Sequence, residues 1–215
     1  SILFSTGEGA FNTGSAVFLT QVVGMSASKV GLALTIVNVA EFLLAYPAGR
    51  LVDRLGPKRV WAATTWGRAA CFLALPFVGS FEQYLTVGLF FAVFGSAGHS
   101  SYQAYVVDVL PRKERVETQA YLYSALNLGF TLGAVVGGIA LATGSLDVIR
   151  WSPWFAALLM AVNGFWITRL PAAPHDLRVR SGEARVRPSG PGPLRNRGWI
   201  LVTFCRGVLL TNQTL

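Results

Sequence analysis

The sequence predicts an all-α membrane protein: a six-helix transmembrane bundle followed by the start of a seventh span. Hydrophobic residues make up 53% of the 215 and charged residues 13%, against roughly 25% charged in an average soluble chain. The missing charge leaves long gaps, 20 residues from Gly9 to Ser28, 25 from Gln83 to Val107 and 29 from Thr118 to Leu146. A helix needs about 20 mostly apolar residues to cross the hydrocarbon core. The cations are grouped as well, since 14 of the 18 Lys and Arg fall in three segments between apolar runs. An ordinary soluble enzyme is excluded. The net charge of +8 is divided among separate connections, so nucleic-acid binding fits poorly.

Taken in order, the apolar runs place helices near 1–23, 30–49, 60–80, 84–109, 119–143 and 149–169, and a seventh begins at Trp199. The first covers most of the first charge gap, the fourth nearly fills the second, and the fifth lies within the third. Arg50, Arg54, Lys58 and Arg59 follow the second helix; Arg112, Lys113 and Arg115 follow the fourth; Arg169, Arg178, Arg180, Arg185, Arg187, Arg195 and Arg197 follow the sixth. The alternate connections hold only Lys29 and Arg150. By the positive-inside rule the basic loops face the cytoplasm, so the chain is multi-pass in the plasma (inner) membrane with both ends of the six-helix set inside. Trp61, Trp151, Trp154 and Trp199 stand near helix ends, where an aromatic belt accounts for them.

Residues 171–198 break the apolar pattern with five prolines and a dense run of arginine, which reads as a basic, Pro/Gly-rich cytoplasmic linker. The organisation is therefore a bundle over 1–170, a linker over 171–198, and the first part of a further span over 199–215. No strong sequence repeat is visible within the six helices. The chain opens at Ser1 without Met and stops at Leu215 inside an apolar run. It is expected to be a piece of a longer chain whose missing C-terminal half is its first partner. Cys71 and Cys205 lie in separate apolar runs without further ligands at metal spacing, so neither a disulfide nor a metal site is expected.

The most informative stretch follows the second helix: Gly49, Leu51, Asp53, Arg54, Gly56 and Lys58 within Gly49–Arg59, read as a ten-residue loop. These residues match in register the loop signature Gly-x-Leu-x-Asp-Arg-x-Gly-Arg-Lys, and the chain here resembles the major facilitator superfamily. Pro57 departs where a basic residue is usual, and Arg59 supplies that charge one position later. Glycines permit a tight turn, Asp53 can accept hydrogen bonds or pair with a cation, and the basic residues sit at headgroup level. The resemblance implies a conformational latch, with Asp108 at the end of the fourth helix a further member of its charge network. Helix spacing, the Asp108–Arg115 connection and the long linker extend the likeness to an N-terminal half, over essentially the whole chain.

Gly129, Gly133 and Gly137 recur every four residues in the fifth helix, with Gly138 adjacent, so they line a face that another backbone can approach closely. They resemble the family's antiporter motif, with Ala134 in place of its proline and Ala120 in place of its earlier glycine. Generic small-residue packing accounts for the same stripe.

Ionisable groups at membrane depth cost at least about 2.5–3.5 kcal/mol on insertion scales, so they face a cavity or a partner. The candidates for a substrate or proton path are Glu8, Glu41, Arg68, His99 and Arg206, with Asn12 and Gln103 as polar contacts. Glu8 and Asn12 share a helical face flanked by small residues, and Glu8 is the first choice for a proton- or cation-binding carboxylate. Glu41 falls near mid-membrane, and Arg68 is its candidate partner. His99 and Gln103 lie in a polar patch, Gly95–Gln103, that suggests a wetted wall. Family drug antiporters carry an arginine in the fourth helix, and Phe91 stands near that position here. Arg206, Asn212 and Gln213 would belong to the seventh helix.

No phosphate-binding loop, paired metal ligands or nucleophile–base set is found, so neither an enzyme nor a bound cofactor is expected. The resemblance implies a secondary transporter in which two six-helix bundles rock about a midplane site. Efflux of small organic molecules driven by protons is the favoured activity. A nutrient importer or facilitator, or a membrane receptor or assembly module without transport, stands as the alternative.

Overall fold

A computed structural model of the chain describes residues 2–111 and 113–181. They form α1 (Ile2–Val17), prolonged by a π-helical turn at Phe18–Val22, then α2 (Ala27–Leu55), α3 (Pro57–Ala74) with a 3₁₀ turn at Leu75–Phe77, α4 (Phe81–Val109), α5 (Arg115–Ala142), α6 (Leu146–Arg169) and a short α7 (Pro174–Arg180). The fold is the all-α bundle the sequence predicts. Arg112, the linker from residue 182 with Arg185, Arg187, Arg195 and Arg197, and the predicted seventh span with Trp199, Cys205, Arg206, Asn212 and Gln213 lie outside the described residues.

The helix ends show why hydropathy misplaced one junction. The spans expected over 30–49 and 60–80 run instead over Ala27–Leu55 and Pro57–Phe77, and the ten-residue loop shrinks to Gly56. Gly56 has φ 92°, a conformation open to glycine and costly for residues with a Cβ. Pro57 then opens α3 at the position where a missing N–H does no harm. Charged residues mark where the membrane ends, and Arg50, Asp53 and Arg54 carry the helix beyond that level. Elsewhere Ser80 and Ser145 cap α4 and α6 by accepting from Gln83 N–H (3.3 Å) and Val148 N–H (3.5 Å).

Packing follows a pattern that the sequence does not display as a repeat. α1 lies against α5 and α6, α4 lies against α2 and α3, and α3 lies against α6. Exchanging the first three helices with the last three leaves these pairings unchanged, the arrangement of two related three-helix halves. α1 and α4 occupy equivalent positions and stand on opposite sides of a central space.

At one end that space is filled. Phe18, Leu19, Phe72, Leu75, Ile149 and Met160 form the main core where the π turn of α1, the end of α3 and the start of α6 converge. The other end carries the Arg50–Arg59 segment and is called the basic end below; a smaller cluster of Ala48, Val52, Val60 and Ala97 packs there among α2, α3 and α4. The outer faces of α2 and α5 remain bare, with Phe42, Leu43, Val135 and Ile139 all exposed. Both helices are long and apolar enough to cross a membrane.

Along α5 the buried residues are Gly129, Gly133 and Gly137. A Cβ at Gly133 would lie 2.7 Å from Ala10 N and one at Gly137 3.0 Å from Thr13 Cβ, while Gly129 abuts Ser5. The α1–α5 seam is thus backbone against backbone, and small residues are what permit it. Gly138 is different: nothing stands within 4 Å of where its Cβ would be. It points off the seam.

The first residues of the expected linker are folded onto the bundle. After α6 the chain turns back as a strap, residues 171–181, in which Ala173 and Asp176 are buried and α7 touches α2, α3 and α4.

Candidate functional site

A cavity of about 370 Å³ opens between α1 and α4, and residues of α1 to α6 all contribute to its wall. Its volume is in the range that holds a small organic molecule. At its centre Arg68, from the middle of α3, forms a salt bridge with Glu8 of α1, each side chain 16% exposed. The guanidinium lies between the rings of Phe4 (5.3 Å) and Phe91 (5.6 Å), so the residue near the family's helix-4 arginine position is one that packs on an arginine from α3. Glu41 reaches the same cluster from α2. Its Oε1 would stand 2.7 Å from a Cβ on Gly95, and Arg68 Nη1 3.2 Å from it, so the absence of a side chain at Gly95 makes room for both.

The sequence offered Arg68 as partner to Glu41; the structure pairs it with Glu8. Glu41 is within electrostatic range of both Arg68 and Glu8, and no hydrogen bond to its carboxylate is formed among the described residues. One cation therefore serves two acids. Arg68 is eleven residues into α3, about 16 Å at 1.5 Å per residue, so the cluster sits at mid-bundle. Toward the basic end the wall continues through His99, Tyr102, Gln103 and Gln119. The Tyr102 hydroxyl and Arg68 Nε are buried without a hydrogen-bond partner among the described residues.

Two expected residues fall elsewhere. Asn12, one turn beyond Glu8, is exposed and outside the cavity wall. Trp61, assigned from sequence to the interfacial belt, lines the cavity and packs on Tyr102 (5.3 Å) and Tyr105 (5.5 Å). Its place near a helix end suggested an anchor, but its ring is turned onto the cavity wall and the two tyrosines. Trp151 and Trp154 do lie exposed at the far end, beside Phe77.

Of the residues expected to form a latch, Gly56, Lys58, Asp108 and the Asp53 carbonyl meet the strap or the end of α6, whereas the exposed Leu51 makes no such contact among the described residues. Lys58 Nζ donates to the carbonyls of Thr168 (3.0 Å) and Leu170. Gly56 abuts the Asp176 carboxylate, whose other oxygen accepts from Ala173 N–H (3.0 Å) and caps α7. His175 joins the two acids of the expected network: its backbone N–H donates to Asp108 (2.7 Å), and its Nε2 lies 3.1 Å from the Asp53 carbonyl oxygen. Arg178 adds an exposed ion pair to Asp108 at 3.7 Å, the kind worth little by itself. The Asp53 carboxylate, Arg54 and Arg59 are exposed, and Gly49 meets nothing within 4 Å. Tyr105 completes the clasp by donating to the Pro171 carbonyl at 3.1 Å. The strap was the missed element. Its signal was Ala173-Pro-His-Asp176, a proline at the first helical position and an acid two residues on.

An apolar helical bundle with a polar, charged cavity between symmetry-equivalent helices defines an integral membrane protein of the transporter class. The family model of the Major Facilitator Superfamily matches residues 1–214. The chain belongs to that superfamily, a family of transporters. Among curated relatives it is similar to the enterobactin exporter EntS of Escherichia coli O127:H6, 28% identical over 72% of this chain and 38% of that protein. It is 24% identical to multidrug resistance protein 2 of Bacillus subtilis, over 69% of this chain and 37% of that one. It is 25% identical to the uncharacterized MFS-type transporter YqjV of the same organism, over 57% and 30%. The chain thus spans about a third of the length of the curated relatives it matches.

Proposed function

We propose that the full protein is a secondary active transporter that expels small organic molecules by alternating access, driven by the proton gradient, with the basic end in the cytoplasm of an inner-membrane protein. The carrying observation is the Glu8–Arg68–Glu41 cluster: a cavity at mid-bundle where one guanidinium is salt-bridged to Glu8 with the Glu41 carboxylate within electrostatic range. A proton taken up at Glu8 removes that partner's charge and leaves Arg68 to Glu41; loss of the proton restores the Glu8 pair. The ring walls of Phe4, Trp61, Phe94 and Tyr102 give an organic substrate apolar contact beside this switch. Dense packing at the far end supports a cavity reached from the cytoplasmic side. The strap and the Gly56 joint form the latch that holds this state, and a second six-helix bundle completes the path. The exporter and multidrug names of the relatives support the outward direction.

The test is transport by the full-length protein in proteoliposomes, with a panel of cationic and neutral compounds, with and without an imposed pH gradient. Wild type is compared with Glu8→Gln and Asp53→Asn. Gradient-dependent flux that Glu8→Gln uncouples is the expected result. Flux indifferent to both the gradient and Glu8 refutes proton coupling and indicates a facilitator; no flux of any compound by folded protein refutes transport of this class.

A further inference from the structure

We propose that the groove beside the α2–α3 joint is a binding site for an anionic phospholipid, its phosphate on Arg59 and an acyl chain laid along Leu51, Leu55 and Ala97. This goes beyond the transport activity and rests only on the basic end lying at the cytoplasmic leaflet. The groove has a volume of about 330 Å³, separate from the central cavity. Leu51 and Leu55 of α2 form one side, Arg59 and Ala63 of α3 the other, and Val93 and Ala97 of α4 the floor. Arg59 is the single charge on its described wall. It sits in the first turn of α3, where the bundle meets the headgroups, and the rest of the wall is almost wholly apolar and leads inward from it.

The neighbouring cations behave differently. Lys58 is engaged by the carbonyls of Thr168 and Leu170. Arg59 is exposed and makes no hydrogen bond or ion pair among the described residues, and Arg54, on the last turn of α2, is likewise exposed and unpaired. An apolar groove capped by a free guanidinium matches a ligand with hydrocarbon at one end and a phosphate at the other. The cytoplasmic leaflet supplies such molecules, and basic pockets between helices on that side take anionic headgroups. The site also touches the transport path, because Thr64 and Phe94 line both the groove and the central cavity.

The test is native mass spectrometry of the full-length protein in mild detergent, loaded with an equal mixture of phosphatidylglycerol and phosphatidylethanolamine of identical chains. Wild type is expected to retain phosphatidylglycerol about fivefold over its competitor, the factor one surface cation supplies. Arg59→Gln is expected to bring the ratio near one. Lys113→Gln, which removes an exposed cation between α4 and α5, is expected to leave it unchanged. Ala63→Phe, filling the groove with Arg59 intact, is expected to lower retention of both lipids. Equal retention by wild type, a preference that survives Arg59→Gln, or a Lys113→Gln loss as large as that of Arg59→Gln overturns the proposal. Displacement of the lipid by equimolar glycerol phosphate also overturns it, since the headgroup alone would then account for binding.

Discussion

Replacing Gly133 with alanine adds one methyl group where α5 crosses α1, and the structure sets what that methyl meets. Its Cβ would stand 2.7 Å from Ala10 N, 3.0 Å from the Gly9 carbonyl carbon and nearer still to the Thr6 carbonyl oxygen. All three are backbone atoms of α1, so no rotamer relieves the contact; the helices must separate by about 1 Å to reach ordinary van der Waals distance. Overpacking of this kind costs about 1–3 kcal/mol. Alanine also favours helix over glycine by about 1 kcal/mol, which would mask part of the loss. Gly138 supplies the control. It lies in the same helix with nothing within 4 Å of its Cβ position, so Gly138→Ala carries the same helical gain without the clash. The difference between the two variants is then the clash alone, about 1–3 kcal/mol, at most about 2–12 °C in Tm if this bundle unfolds as its own unit and less if the whole chain melts together. Thermal unfolding of the full-length protein in one detergent, followed by tryptophan fluorescence, measures it. Equal Tm values, or Gly138→Ala the less stable, would refute the backbone-on-backbone seam.

Arg68→Met leaves Glu8 and Glu41 without their shared cation and is expected to destabilise by about 3–5 kcal/mol; adding Glu8→Gln should recover much of this, and a double variant no more stable than the single one in a melting assay counts against the pairing. Gly56→Ala forces alanine to φ 92°, a strain of roughly 1–2 kcal/mol, and presses on Asp176. It should loosen the strap, read as faster tryptic cleavage at Arg178; an unchanged cleavage rate would separate Gly56 from the clasp. Lys58→Met removes two hydrogen bonds to the α6 end and should also speed that cleavage, whereas Arg54→Met, an exposed change, should not.

The order of the six spans was legible because charge is excluded from lipid, so gaps between charges trace the spans. The α2–α3 junction was misread for the same reason: hydropathy reports where the membrane ends, and α2 runs on through Arg50, Asp53 and Arg54. The stripe at Gly129, Gly133 and Gly137 was legible from its four-residue period. Gly138 was grouped with it by adjacency, which in a helix turns a residue about a quarter circle away. The members of the charged cluster were all recognisable from the cost of burying them. Which acid holds Arg68 was not, since Glu8 is 60 positions away and only packing brings it closer than Glu41. The strap was obscured by its composition, because the prolines and arginines that follow suggest a solvated linker throughout.

The glycine seam also bears on how this gene can vary. A glycine codon changed at any one base encodes a residue with at least one more heavy atom, or the same glycine, or a stop. At Gly133 and Gly137, where the facing atoms lie within about 3 Å of a Cβ, no single-base missense change is conservative. At Gly138 such changes meet open space. Drift across α5 should therefore be uneven on a scale of one residue, with silent substitutions accumulating at the first two positions while the third admits new amino acids.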